Sequence, residues 1–179
     1  MTEEQIIIAC RRGESFAQKM LFERYVDRMF VICIRYVPRQ SDAEEILSDA
    51  FLKCFRSLNQ FEYRGAGSFR AWLSKITTNE CLAFLRKKNM LVFTTEDHVL
   101  ERRDESETAI EKISAKELIF CIQHMPAGYR TVFNLYILEN YSHKEIALQL
   151  NISESTSKTQ LKKAKAWLRK KIKKDETRI

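Results

Sequence analysis

Residues 142–172 read SHKEIALQLNISESTSKTQLKKAKAWLRKKI, and the spacing of apolar residues in this stretch decides the fold. Ser142 stands where a helix N-cap belongs, ahead of the short helix HKEIALQL. Ile146, Ala147 and Leu150 pack that helix inward, and the small Ala147 permits a close crossing. Asn151 and Ile152 form a turn in which Ile152 plugs the angle between two helices. Ser153 caps a longer helix, from about Glu154 to Lys173. In it Leu161, Ala164, Leu168 and Ile172 recur at the helical period and form one buried stripe. A short capped helix, a tight turn and a longer basic helix make the helix-turn-helix pattern.

The second helix also carries a stripe of cations. Lys158, Lys162, Lys165 and Arg169 share a face distinct from the apolar one. A recognition helix sets its N-terminal residues on base edges and its cations on phosphates. Ser155, Thr156, Ser157, Lys158 and Gln160 are therefore the candidate readers, with Lys162, Lys165 and Arg169 on the backbone. The plainer alternative is a helical hairpin with a solvated lysine face. Residues 153–179 hold ten basic against three acidic residues, whereas residues 90–107 hold two against six. The formal net charge of +7 is thus concentrated at the C-terminal end, which favours a polyanionic partner.

Working outward, the rest of the chain is also helical. Only 4 Gly and 2 Pro occur among 179 residues, too few turn formers for an all-β fold. Thr2 caps a short helix to about Arg12. A second helix, from about Glu14 to Val37, shows a stripe of Phe22, Tyr25, Met29, Cys33 and Tyr36 and ends at Pro38. Ser41 with Glu44 reads as a capping box opening a third helix. Its core face is Ala43, Ile46, Leu47, Ala50, Phe51, Cys54 and Phe55, with Asp42, Glu45 and Asp49 opposite. Residues 59–67, NQFEYRGAG, read as a loop, after which Ser68 caps a fourth helix to about Asn89 with core residues Phe69, Trp72, Leu73, Ile76 and Ala83. Residues 90–107 lose periodicity and read as an acidic linker. Helices from about Glu107 to His124 and from Pro126 to about Leu138 precede the helix-turn-helix. The expected architecture is all-α: two small helical domains, 1–89 and 108–179, joined by the linker 90–107.

Two further constellations carry potential chemistry. The acidic stripe Asp42, Glu45, Asp49 is either solvated surface or a docking face for a basic or mixed-charge partner helix. The loop holding Phe61, Tyr63 and Arg64 leads into a helix bearing Lys75, Asn79, Arg86, Lys87 and Lys88. Bases extruded from a duplex are held by stacking, by hydrogen bonds to their edges and by cations on the backbone, and this composition can supply all three. Alternatively, Phe61 and Trp72 belong to the core and the terminal cations complement a helix dipole.

Other classes find little support. The three histidines are scattered, and no nucleophile elbow, phosphate loop or H-E-x-x-H is present, so no catalytic residue is assigned. The five cysteines show no C-x-x-C pair, so neither a metal site nor a disulfide framework is expected, nor any cofactor. No secretion signal is visible, and no apolar run approaches the ~18 residues a membrane span needs. The expectation is a cytoplasmic protein.

The segments DAEEILSDAFLKCFRSLNQFEYRGAGSFRAWLSKITTNECLAFLRKK and MPAGYRTVFNLYILENYSHKEIALQLNISESTSKTQLKKAKAWLRKKI resemble, in order, regions two and four of extracytoplasmic-function (ECF) sigma factors. The resemblance implies a transcription-initiation protein. Region two would dock on the β′ coiled coil of core RNA polymerase through Asp42, Glu45 and Asp49. It would also open the minus-ten promoter element with Tyr63, Arg64, Ser68, Lys75, Asn79 and Arg86. Region four would read the minus-thirty-five element with the helix after Ser153 and meet the β flap. An anti-sigma factor would be a further partner. Two residues depart from the family's habit: Ser48 stands where Gln is usual, and the recognition helix opens STSKTQ rather than with a Val-Lys-Ser type sequence. A different reading of the same residues is a stand-alone helix-turn-helix regulator whose N-terminal half is a sensor or dimerisation domain.

Overall fold

The computed structural model describes residues 1–93 and 114–176. Residues 94–107 of the expected linker, and the expected start of the next helix at Glu107, lie outside the described residues. Eight α-helices and no strand occur among the described residues. They fall into two compact units, Met1–Lys88 and Asn89–Ile179.

The first unit holds α1 (Glu3–Arg11), α2 (Ser15–Tyr36), α3 (Gln40–Ser57) and α4 (Ser68–Lys87). Thr2 caps α1 as a capping box with Gln5. Extended Val37 ends α2 just before Pro38, whose ring disfavours helix at the preceding residue. The expected capping box at Ser41 is absent. α3 begins earlier, with Arg39 at its N-cap, so Ser41 lies inside the helix, and Glu44 Oε1 accepts from the Gln40 side-chain amide. Leu21, Met29, Tyr36, Phe69, Leu73, Leu82 and Leu85 are fully buried where α2, α3 and α4 meet. Burial of each such apolar side chain contributes about 1.5–3 kcal/mol.

Two expected core positions move outward. Phe22 is 39% exposed although its ring stays 4.7 Å from Phe51. Ala83 is exposed because it shares the outer stripe of α4 with Lys75, Asn79 and Arg86, at three- and four-residue steps. Thr77 and Thr78 are buried in that helix instead, with Thr77 Oγ1 donating to Leu73 O at 2.9 Å.

The second unit holds α5 (Ala115–Gln123), α6 (Ala127–Phe133, continued by a π-turn, Asn134–Leu138), α7 (His143–Leu150) and α8 (Glu154–Glu176). Ser114 and Glu117 form a capping box on α5. Pro126 is the N-cap of α6 rather than its first residue. Buried Arg130 closes the end of α5: its Nη1 donates to Gln123 O at 2.7 Å and to Met125 O at 3.2 Å. Burial lowers the pKa of that guanidinium to about 10. Gly128 admits the chain entering this unit. A Cβ there would lie 2.6 Å from Val92 O and 3.2 Å from the Phe93 ring.

All five cysteines are buried. Burial raises the thiols of Cys10 and Cys54 to about 11 and about 12, so they stay protonated and behave as small hydrophobes. No group of residues able to hold a metal ion occurs among the described residues, and no described helix is long and apolar enough to cross a membrane.

Candidate nucleic-acid interface

The helix-turn-helix is built by local caps. Ser142 Oγ accepts from Glu145 N at 3.2 Å, and Glu145 Oε2 accepts from Ser142 N at 2.8 Å. Asn151 takes the left-handed conformation, φ 53°, which lets Ile152 N donate to Ala147 O at 3.0 Å and ends α7. Ser153 Oγ then accepts from Thr156 N at 3.0 Å and opens α8. Leu161, Ala164, Leu168 and Ile172 are all buried, so α8 has its stripe against the rest of the unit.

The buried stripe reaches further toward the N-terminus of α8 than its apolar residues suggest. Ser157 and Gln160, both expected among the base readers, are 0% and 1% exposed. They lie four residues before Leu161 and Ala164 respectively, so the helical period places them on the inward face. Ser157 Oγ shares a 2.9 Å hydrogen bond with His143 Nδ1 at the start of α7. The Gln160 amide lies beside Gly128, where a Cβ would meet its Oε1 at 3.1 Å. Both side chains are internal joints of the motif, not readers of DNA.

The outward face is therefore narrower. Ser155, Lys158, Lys162 and Lys165 are exposed, and Thr156 and Arg169 are partly so. Ser155 Oγ and Thr156 Oγ1 each lie 2.8 Å from Ser153 Oγ in the cap. The first four turns thus present a small polar tip followed by cations. His143 sits behind this face with the Tyr136 ring stacked on it at 4.4 Å. Burial, helped by Lys158 and Lys165 against the opposing Glu154, pushes its pKa below the ordinary value and favours the neutral imidazole.

In the first unit, the loop after α3 is fixed at both ends. Phe61 is buried, its ring 5.4 Å from Phe69 and 5.0 Å from Trp72. Ser68 is the first residue of α4, not its cap. Its hydroxyl donates to Gly65 O at 2.7 Å and accepts from Arg64 N at 3.2 Å. Gly67 supplies the N-cap at φ 86°, a conformation that side chains disfavour. Between these pins Arg64 is exposed, paired with Glu62 at 2.9 Å, and Tyr63 is partly exposed. Lys75 and Arg86 are exposed and Asn79 partly so, on one stripe of α4. On α3, Glu45 and Asp49 are exposed and Asp42 is partly buried. Lys53 of α3 meets Glu80 of α4 at 2.6 Å.

Sequence reasoning missed three positioning contacts: the His143–Ser157 joint, the Arg130 cap, and Arg11, whose guanidinium reaches Leu58 O and Phe61 O. No local sequence signal marks the last, because the partners lie 47 and 50 residues apart.

Both units match known protein families. The sigma-70 region 2 family model matches residues 21–90 and the sigma-70 region 4 model matches residues 115–168. An ECF RNA polymerase sigma-E factor of Escherichia coli K12 is 24% identical over 184 residues, covering 96% of this chain and 95% of the relative. The ECF RNA polymerase sigma-E factor of Haemophilus influenzae is also 24% identical, with 96% of each chain covered. The solved structure of CnrH in complex with the cytosolic domain of CnrY covers 95% of this chain and 96% of its own, with TM-score 0.50 and 18% identity, a likeness of fold. Two sigma-70 models matched in order, with relatives aligned end to end, place the chain: it belongs to the sigma-70 family and is a sigma factor of the ECF type.

Proposed function

We propose that the chain directs core RNA polymerase to promoters by dividing the work between its two units. The carrying observation is the outward face of α8, where Lys158, Lys162, Lys165 and Arg169 form a single-signed stripe beyond a capped short helix. That face contacts phosphates of the minus-thirty-five element, while Ser155, Thr156 and Lys158 at the helix tip address base edges.

The first unit handles the polymerase and the melted strand. Glu45 and Asp49, with Asp42 at their margin, offer a carboxylate surface on α3 for the β′ coiled coil. Tyr63 and Arg64 in the pinned loop take a base displaced from the minus-ten duplex by stacking and cation contact. Lys75, Asn79 and Arg86 then guide the strand along α4. The β flap is the partner of the second unit, an anti-sigma protein is the regulatory partner, and the place of action is the cytoplasm. CnrH, alike in fold, was solved bound to the cytosolic domain of CnrY, which supports a protein partner of this kind.

Reconstituted transcription tests this reading. Core enzyme plus the purified chain should start transcripts at defined sites on a genomic template library. Transcripts no more abundant than with core enzyme alone would refute it. A gel shift separates the regulator reading: tight duplex binding by the chain without core enzyme would favour a stand-alone helix-turn-helix protein.

A further inference from the structure

The loop proposed to receive the displaced base hangs from a point held by a residue of α1. Arg11 is the last residue of that helix. Its Nε donates to Leu58 O at 3.2 Å and its Nη2 donates to Phe61 O. Leu58 opens the 3-10 turn that follows α3, and Phe61 is the residue from which the chain leaves for the exposed loop. Leu58 O also accepts from Phe61 N at 3.2 Å, so Arg11 adds a second, charged donor where the turn ends, and a cation near a helix end is favoured by the helix dipole. The planar guanidinium serves both acceptors from one rigid fork, which a lysine ammonium does not.

Two other pins complete the frame. The Phe61 ring is locked against Phe69 and Trp72, and the Ser68 hydroxyl ties Gly65 and Arg64 at the far end. The Phe61 ring fixes where the chain leaves the core, and its carbonyl, gripped by Arg11, fixes the direction. Arg11 is itself exposed, so its removal opens no cavity and costs the core little. Its bonds go to backbone carbonyls at the root of the loop, the place where a small rotation swings Tyr63 and Arg64 furthest.

We propose that Arg11 is a positioning residue for promoter opening: it sets the exit angle of residues 62–67 and thereby the rate at which the displaced base is captured. The proposal rests on the reading of that loop as the strand-capture site. A misdirected loop slows capture without weakening either the fold or the grip on polymerase, because neither α3's outer carboxylates nor the α2–α4 core changes.

The test uses the full chain with core enzyme on a duplex promoter. Core affinity, thermal unfolding and the rate of strand opening, followed by permanganate reactivity of minus-ten thymines, are measured for Arg11→Ala, Arg11→Lys, Tyr63→Ala and Arg64→Ala. Arg11→Ala removes both charge-assisted hydrogen bonds and should slow opening at least about tenfold, with core affinity unchanged. Arg11→Lys, able to make one of the two bonds, should fall between. Opening at the wild-type rate in Arg11→Ala, or slowing matched by an equal loss of folded protein or of core binding, overturns the proposal. If Tyr63→Ala and Arg64→Ala slow opening while Arg11→Ala does not, the loop reading stands and the Arg11 role alone falls. If none of the four alters opening, both fall.

Discussion

Lys162 and Lys165 offer the cleanest test of the proposal that the outward face of α8 meets DNA. Both are exposed, lie one turn apart, and point away from the buried stripe of Leu161, Ala164 and Leu168. A lysine on a phosphate releases condensed counterions, so each contact adds about 0.9 to the slope of log affinity against log salt. Replacing both by alanine should flatten that slope by about 1.8. Between roughly 0.05 and 0.2 M salt, wild-type binding should then lose about twelvefold more affinity than the double variant. The loss at low salt should be about equal for all promoter sequences, since phosphates carry no sequence information. Fluorescence anisotropy of labelled promoter DNA with saturating core enzyme, titrated with salt, gives the slope directly. Gln160→Ala is the control: its side chain is buried beside Gly128, so it should lower thermal stability and leave the slope alone. An unchanged slope in the double variant, or a loss confined to some sequences, would refute the assignment of this face to phosphates.

Other perturbations probe the remaining parts. Asp49→Arg reverses an exposed charge on α3 and should weaken binding to core enzyme at least about tenfold, with an unchanged melting temperature, because a rim charge acts on the partner and not on the fold; normal core affinity in a pull-down titration would remove α3 as the docking surface. Arg130→Met deletes two hydrogen bonds to the end of α5 from a buried guanidinium, and thermal unfolding of the full chain should show the second unit destabilised by about 2–4 kcal/mol. His143 has a depressed pKa in the fold, so the unfolded chain takes up its proton first as pH falls. Its contribution to stability is complete above the ordinary value of 6.5 and is lost as pH drops below it. Melting curves at pH 7.5 and 5.5 should therefore differ less for His143→Gln than for the native chain. Gly128→Ala would set a Cβ 2.6 Å from Val92 O, and calorimetry should record a destabilisation of about 1–3 kcal/mol from displacing that chain.

What could be read from the sequence was what helices decide locally. The stripe Leu161, Ala164, Leu168, Ile172 and the caps at Thr2, Ser142 and Ser153 each depend on neighbours within one or two turns, and each stands where periodicity puts it. Ser41 misled because Arg39 and Gln40 extend α3 by a few residues, and a helix end is set by small free-energy differences. Ser157 and Gln160 misled for a deeper reason. A polar residue on a basic helix is read as outward by its chemistry, but its burial is decided by partners on other helices: His143 for the first, Gly128 for the second. Arg11 was invisible on the same ground, with acceptors some fifty residues away. These inward polar residues bear directly on recognition. With Ser157 and Gln160 engaged in holding α8 on α7 and α6, the side chains left at the tip are Ser155, Thr156 and Lys158, and the first two are already tied to the Ser153 cap at 2.8 Å. Lys158 is then the one exposed cation in the first two turns of the helix. A lone lysine favours the acceptor pair on a guanine edge, so sequence preference in the minus-thirty-five element should centre on one G·C pair and vanish with Lys158→Ala, whereas Ser157→Ala should loosen the motif without shifting that preference.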